Sequence, residues 1–199
     1  QTKLTSKDYV TQEAWKKATL DRCPAHPRGG CGFHRNGTYG RVNPPGMRIA
    51  RYYCLTARST YSLLPDFLAS RFSGELATVE GDLAKAEQHR SVEAAANAVR
   101  TDDITLPSAV RWLRRRLMPV RMALIALVTM MPELFAGCAP TVTAMRLVLG
   151  TGSALVELRE VGAVHLGALP PPLGFGPRRK GGWRRWGDRQ HDMGPDPPS

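Results

Sequence analysis

The sequence predicts an α+β fold, mainly α: a small β module first, a helical bundle after it, and a disordered C-terminal tail. Three observations point there. Three of the four cysteines fall within residues 23–54, among short β-like runs and Gly/Pro turns. From residue 75 to 131 apolar residues recur at helical spacing. Beyond residue 170 the composition turns to Pro, Gly, Arg and Trp, which cannot bury a core. The 199 residues suffice for one ordinary domain with appendages or two small ones. A hydrophobic share of 42% permits a core, while 16 prolines and 19 glycines place much of the length outside regular structure.

The net charge of +11 favours a polyanionic partner, nucleic acid before membrane. Its distribution says more. Residues 1–58 carry 11 Lys/Arg against 3 acids, residues 59–103 carry 4 against 8, and residues 104–132 carry 5 arginines and no acid. The N-terminal stretch is polar, without the apolar core of a secretory signal, and the most apolar run, 122–131, is too short to cross a bilayer. The expectation is a soluble, cytoplasmic protein with no membrane partner. In that compartment the cysteines suggest metal binding or buried thiols before disulfides.

Residues 1–22 form a weakly amphipathic lead-in anchored by Trp15 and Leu20. Residues 23–64 open with Cys23-Pro-Ala-His26 and Cys31-Gly-Phe-His34. Residues 38–42 and 47–53 then read as strands joined by the Asn43-Pro-Pro-Gly46 turn. Cys54-Leu-Thr-Ala57 follows, and a third strand over 60–64. Paired ligands, a hairpin, a second ligand position and a returning strand is the plan of a zinc ribbon, since tetrahedral zinc takes four Cys or His ligands from two tight turns. The candidates are Cys23, His26, Cys31, His34 and Cys54. The preferred set is the three cysteines with either His26 or His34, because Ala57 stands where a regular ribbon has its fourth cysteine. The alternative is a module that keeps its cysteines as small buried hydrophobes.

Residues 65–74 begin as a short helix, and 75–88 form another with Leu76, Val79 and Leu83 on one face and acids outward. In 91–117 Ser91 caps a helix whose Val92, Ala95, Ala96 and Val99 form one apolar stripe. Asp102-Asp103 supply a turn, and Pro107 opens a second helix with Val110, Leu113 and Leu117 on its inner face. Ser108, Arg111, Trp112 and Arg115 project from the other side. This is the layout of a helix-turn-helix, or equally of a helical hairpin with a solvated basic face. The helix is expected to kink or stop at Pro119. Residues 120–131 are apolar nearly all round, suited to a core or to a dimer interface. Residues 137–169 hold two poorly defined apolar segments, and 170–199 a disordered basic tail with Arg178, Arg179, Lys180, Trp183, Arg184, Arg185 and Trp186.

The order of motifs over residues 20–120 resembles the N-terminal zinc-ribbon segment and helix-turn-helix of bacterial insertion-sequence transposases. It is carried by Cys23-Pro24, Gly37-Thr38-Tyr39, Arg48-Ile-Ala-Arg51-Tyr-Tyr-Cys54, Thr60-Tyr-Ser-Leu-Leu-Pro65, Ser91, Ala95-Ala96, Arg111-Trp112 and Arg114-Arg115. The resemblance implies DNA as partner. Ser108, Arg111, Trp112 and Arg115 would face the groove, while Arg41, Arg48, Arg51, Arg114, Arg116 and the tail would neutralise phosphates. No carboxylate cluster on strands, nucleophile elbow, His-Glu-x-x-His or phosphate loop is present, so a non-enzyme without a small-molecule substrate is expected, the recognition region of such a protein without its catalytic domain. The competing expectation is a protein-interaction or homodimerisation module using residues 120–131.

Overall fold

A computed structural model describes residues 4–101 and 104–176. The fold is α+β and mainly α, a three-stranded antiparallel sheet followed by a helical bundle. The helices are α1 (Ser6–Thr11), α2 (Ala14–Lys17), α3 (Leu76–Glu87), α4 (Val92–Val99), α5 (Leu106–Met130), α6 (Pro132–Phe135), α7 (Val142–Leu149) and α8 (Ala154–Val161). The strands are β1 (His34–Gly40), β2 (Arg48–Cys54) and β3 (Ser59–Ser62), in that spatial order.

Within residues 4–22, α1 and α2 contribute buried core side chains rather than forming a mere lead-in. Tyr9 and Trp15 are buried with Met47, Ile49 and Leu68, while Leu20 is only half-buried. Arg35 ties α2 to β1 by donating to the carbonyls of Trp15, Lys16 and Ala18. Strand β1 begins four residues earlier than its sequence pattern indicates. Asn36-Gly37 lies inside it as an irregularity between the Arg35–Tyr52 and Thr38–Ala50 pairs, with Gly37 at φ +67°. A left-handed residue is what such an extra residue in a ladder needs, and glycine supplies it without strain.

No helix forms over residues 65–74. The carbonyls that would accept helical bonds are taken by arginines from elsewhere. Arg159 donates to Pro65, Asp66 and Leu68, and Arg41 to Ala69 and Phe72. Leu68 pairs with Glu75 as an isolated bridge instead.

Helix α3 buries Leu76, Val79 and Leu83, but its acids do not all face outward. Glu80 is 1% exposed and accepts from Arg146 Nε (2.7 Å) and from the backbone N–H groups of Ala154 (3.0 Å) and Leu155 (2.8 Å). Glu87 accepts from the N–H groups of Val142 (2.8 Å) and Thr143 (2.9 Å). Two carboxylates seven residues apart thus cap the starts of α7 and α8, where unpaired donors and the helix dipole favour negative charge. The segment 137–169 is thereby well ordered, with Val142, Met145, Leu155 and Leu158 inside the main core.

Helix α5 runs through Pro119 to Met130, 25 residues and about 37 Å. Proline removes one helical bond, from its own position to the carbonyl of Arg115. The side chains before and after it (Leu113, Val120, Ala123, Leu124 and Leu127) are all buried on one face, and that packing holds both halves in a single helix. The C-terminal half is not apolar-buried all round: Met118, Met122 and Ile125 are more than 40% exposed.

Part of the expected disordered tail is folded. Pro171, Pro172 and Leu173 are buried, and Arg159, 4% exposed, donates to the carbonyls of Pro172 and Leu173. Burial holds the Arg159 guanidinium down to about 10, with the Asp66 carboxylate opposing and Arg41 reinforcing that shift. The basic and Trp-rich residues 178–186 lie outside the described residues, as does Asp102-Asp103.

Candidate metal centre and nucleic-acid interface

Three turns converge beside the sheet. The first closes from Cys23 to His26, whose N–H donates to the Cys23 carbonyl at 3.1 Å. The second follows Cys54, where the N–H of Ala57 donates to Cys54 Sγ at 3.3 Å. The third carries Cys31, and Thr56 binds its carbonyl through both N–H and hydroxyl at 3.3 Å. Gly32 (φ +63°) supplies the left-handed backbone of this turn.

The result is a cluster of Cys23, His26, Cys31 and Cys54 whose ligand atoms all lie within 4.8 Å of one another. The three cysteines are buried and His26 is half-buried. His26 Nδ1 is 3.7 Å from Cys23 Sγ and 3.4 Å from Cys54 Sγ. A tetrahedral ion with bonds of about 2.3 Å to sulfur and 2.0–2.1 Å to nitrogen has S···N edges of about 3.6 Å. The donor set and these edges fit a closed four-ligand metal site. Cys31 supplies what Ala57 does not, and Ala57 instead packs against the cluster with Phe33 and Tyr61.

The thiols are electrostatically unequal. Burial opposes ionisation of Cys23, but hydrogen bonds from the His26 side chain and the 25–26 backbone outweigh it and bring the thiol to about 6. Burial pushes Cys31 up to about 11, reinforced by its neighbours Cys54 and Cys23. His34 is not part of the cluster. It opens β1, its Nδ1 is 2.9 Å from the Gly32 carbonyl, and its ring meets the edge of Tyr53.

The second candidate surface is the N-terminal half of α5. Ala109 and Leu113 pack with Ala86, Ala95 and Ala96, so α4 lies behind α5 and α3 completes a three-helix unit. Arg111, Trp112, Arg114 and Arg115 are exposed and Ser108 is half-buried. Arg111 bonds Ser108 Oγ at 3.3 Å, and Arg114 pairs with Glu93 at 2.9 Å in an open surface contact. Arg116 does not reach outward. Its side chain is 18% exposed, lies 3.3 Å from Asp82 Oδ2 and covers the Trp112 ring at 4.5 Å.

The basic residues of the β module divide in the same way. Arg48 is exposed and bonds Thr38 Oγ1. Arg51 is half-buried over the Tyr39 ring, and Arg41 is turned inward onto the Ala69 and Phe72 carbonyls. Arg41, Arg51 and Arg116 are therefore structural cations, because each found an acceptor or ring inside the fold that sequence spacing does not reveal.

Among the described residues, no helix is long and apolar enough to cross a membrane. No protein-family model, curated protein or solved structure matches this chain.

Proposed function

We propose that the chain is a non-catalytic, cytoplasmic DNA-binding protein, related to or accessory to a mobile element, in which a zinc-holding β module precedes a helix-turn-helix. The observation that carries the reading is the outer face of α5. It presents Arg111, Trp112 and Arg115 to solvent with no acid between residues 104 and 132, while α4 packs behind. A helix of that charge, supported on its inner face and bare on its outer one, suits the major groove. Zinc is the metal the cluster suits best, since three thiolates and an imidazole in a closed tetrahedral arrangement are soft and borderline ligands. Cys23, His26, Cys31 and Cys54 would hold it, and its role would be to stabilise the fold.

The test is a mobility-shift titration of the full chain on selected and random duplexes. The double variant Arg111→Ala/Arg115→Ala is expected to lose preference for the selected site while keeping residual, salt-sensitive binding. Equal losses on both duplexes would remove the groove assignment.

A second reading has its own observation. Met118, Met122 and Ile125 form an exposed apolar stripe continuing the Arg111–Arg115 face at heptad-like spacing. Such a stripe suits a homodimer contact. A dimer in light scattering that is stable at low and high salt and indifferent to DNA would favour it over the groove reading.

A further inference from the structure

We infer that the cleft between the α3–α4 turn, α5 and the start of α7 is a phosphate-binding site. The cleft has a volume of about 410 Å3, and apolar Ala86, Val92, Ala95 and Leu117 line it beside polar groups. Its polar groups fall into two sets. Ser91, Thr141 and Glu87 are already committed: Ser91 Oγ accepts from the Ala94 N–H at 3.0 Å, Thr141 Oγ1 from the Ala144 N–H at 3.2 Å, and Glu87 caps α7. The second set is His89, Arg90 and Arg121, all exposed side chains on the cleft wall. Among the described residues, none of the three has an ion pair or a side-chain hydrogen bond.

Two permanent cations and an imidazole therefore meet in one concavity whose carboxylate is occupied by two N–H donors and the Thr143 hydroxyl. Like charges held this way gain most from a compact oxyanion. Guanidinium forks match phosphate oxygens in particular, bonding them in pairs. The position suggests a source for the phosphate, a step that rests on the groove reading above. Arg121 is about 15 Å beyond Arg111 along α5, and the major groove is about 12 Å wide. With Arg111 among base edges, the cleft meets a backbone phosphate at the groove wall. The chemistry of the site does not depend on that placement, since a free phosphate would satisfy the same three side chains.

Two arms test it on the full chain, comparing the natural protein with Arg90→Gln/Arg121→Gln. Both arginines are exposed, so thermal unfolding of the variant is expected to be unchanged. In the first arm, DNA affinity is measured against salt. Loss of the one phosphate the cleft holds lowers the slope of log K against log salt by about 0.9 on selected and random duplexes alike. In the second arm, inorganic pyrophosphate is titrated while the His89 ring resonances are followed. A saturable shift in the natural protein that the variant lacks establishes the site whether or not DNA binds. If no duplex binds, the groove reading fails and the pyrophosphate arm alone decides the cleft. An unchanged salt slope together with no saturable response at His89 overturns the site. Should the double variant unfold early, Arg121→Gln alone is read instead, with a slope change in the same direction and no larger than about 0.9.

Discussion

At the scale of single residues, the four-donor cluster makes the sharpest demands. Cys31 comes from the turn before β1 and Cys54 from the end of β2, so removing either opens the cage, whereas His34 lies outside it. Cys31→Ser or His26→Ala is expected to abolish stoichiometric zinc in elemental analysis, and His34→Ala to retain one ion per chain. Retention by Cys31→Ser, or loss by His34→Ala, would refute the assignment. A pH effect follows from the unequal thiols. In the metal-free protein Cys31, raised to about 11, keeps its proton at neutral pH, while Cys23, lowered to about 6, is largely thiolate. Zinc must displace the Cys31 proton, so affinity should rise with pH across the neutral range and loading in weak buffer should release acid. An indicator dye reads this directly, and zinc uptake at pH 7 without proton release would contradict it. The donor types were legible in the sequence as residue types near turns. The choice of His26 over His34 was not, because it depends on a Cys23–His26 turn closed by a backbone bond and on where β1 starts.

Secondary elements show the same division between what periodicity carries and what tertiary contacts decide. The stripe of Val92, Ala95 and Ala96 and the face of Val110, Leu113 and Leu117 are visible because they pack into one cluster, with Val99 beside it only half-buried. The passage of α5 through Pro119 is invisible locally, since it depends on Leu113, Val120 and Leu124 being buried together by other elements. Glu80 is the clearest case of an element held by one distant side chain. On a helical wheel it is one more acid, yet it caps α8 across 74 residues of chain and pairs with Arg146. Glu80→Gln leaves a backbone N–H short of an acceptor and Arg146 without its counter-charge. The expected loss is about 2–3 kcal/mol, or roughly 5–10 °C in thermal unfolding for a chain of this size. Glu93→Gln breaks an ion pair whose side chains are more than half exposed and should stay within about 0.5 kcal/mol of the natural protein. Equal unfolding temperatures for the two variants would show that the Glu80 contacts do not carry α8.

The whole molecule is closed by a contact between distant parts of the chain. Arg159 on α8 binds carbonyls of the 65–68 turn, where the β module hands over to the bundle, and carbonyls of Pro172 and Leu173. Ser70 reinforces it, its hydroxyl donating to the Gly174 carbonyl and its N–H to that of Pro172 (3.0 Å), and Leu173 is fully buried beside Leu169. A Pro/Gly-rich composition reads as disorder because it offers no periodic apolar face. Here the recognition is of backbone carbonyls by a buried guanidinium, which no side-chain pattern advertises. The consequence is that Leu169 and Leu173 belong to the main core. Deleting 177–199 retains every contact named here and serves as the control. Deleting 170–199 exposes the Leu173 site and strips two charge-assisted bonds from Arg159, a loss of about 5 kcal/mol. It should lower the unfolding temperature by more than about 10 °C and loosen the β module as well as the bundle. Hydrogen exchange localises the effect: protection should fall in β2 together with α8 in the longer deletion only. Were both deletions equally stable, the Arg159 clamp would be incidental and the two core regions independent.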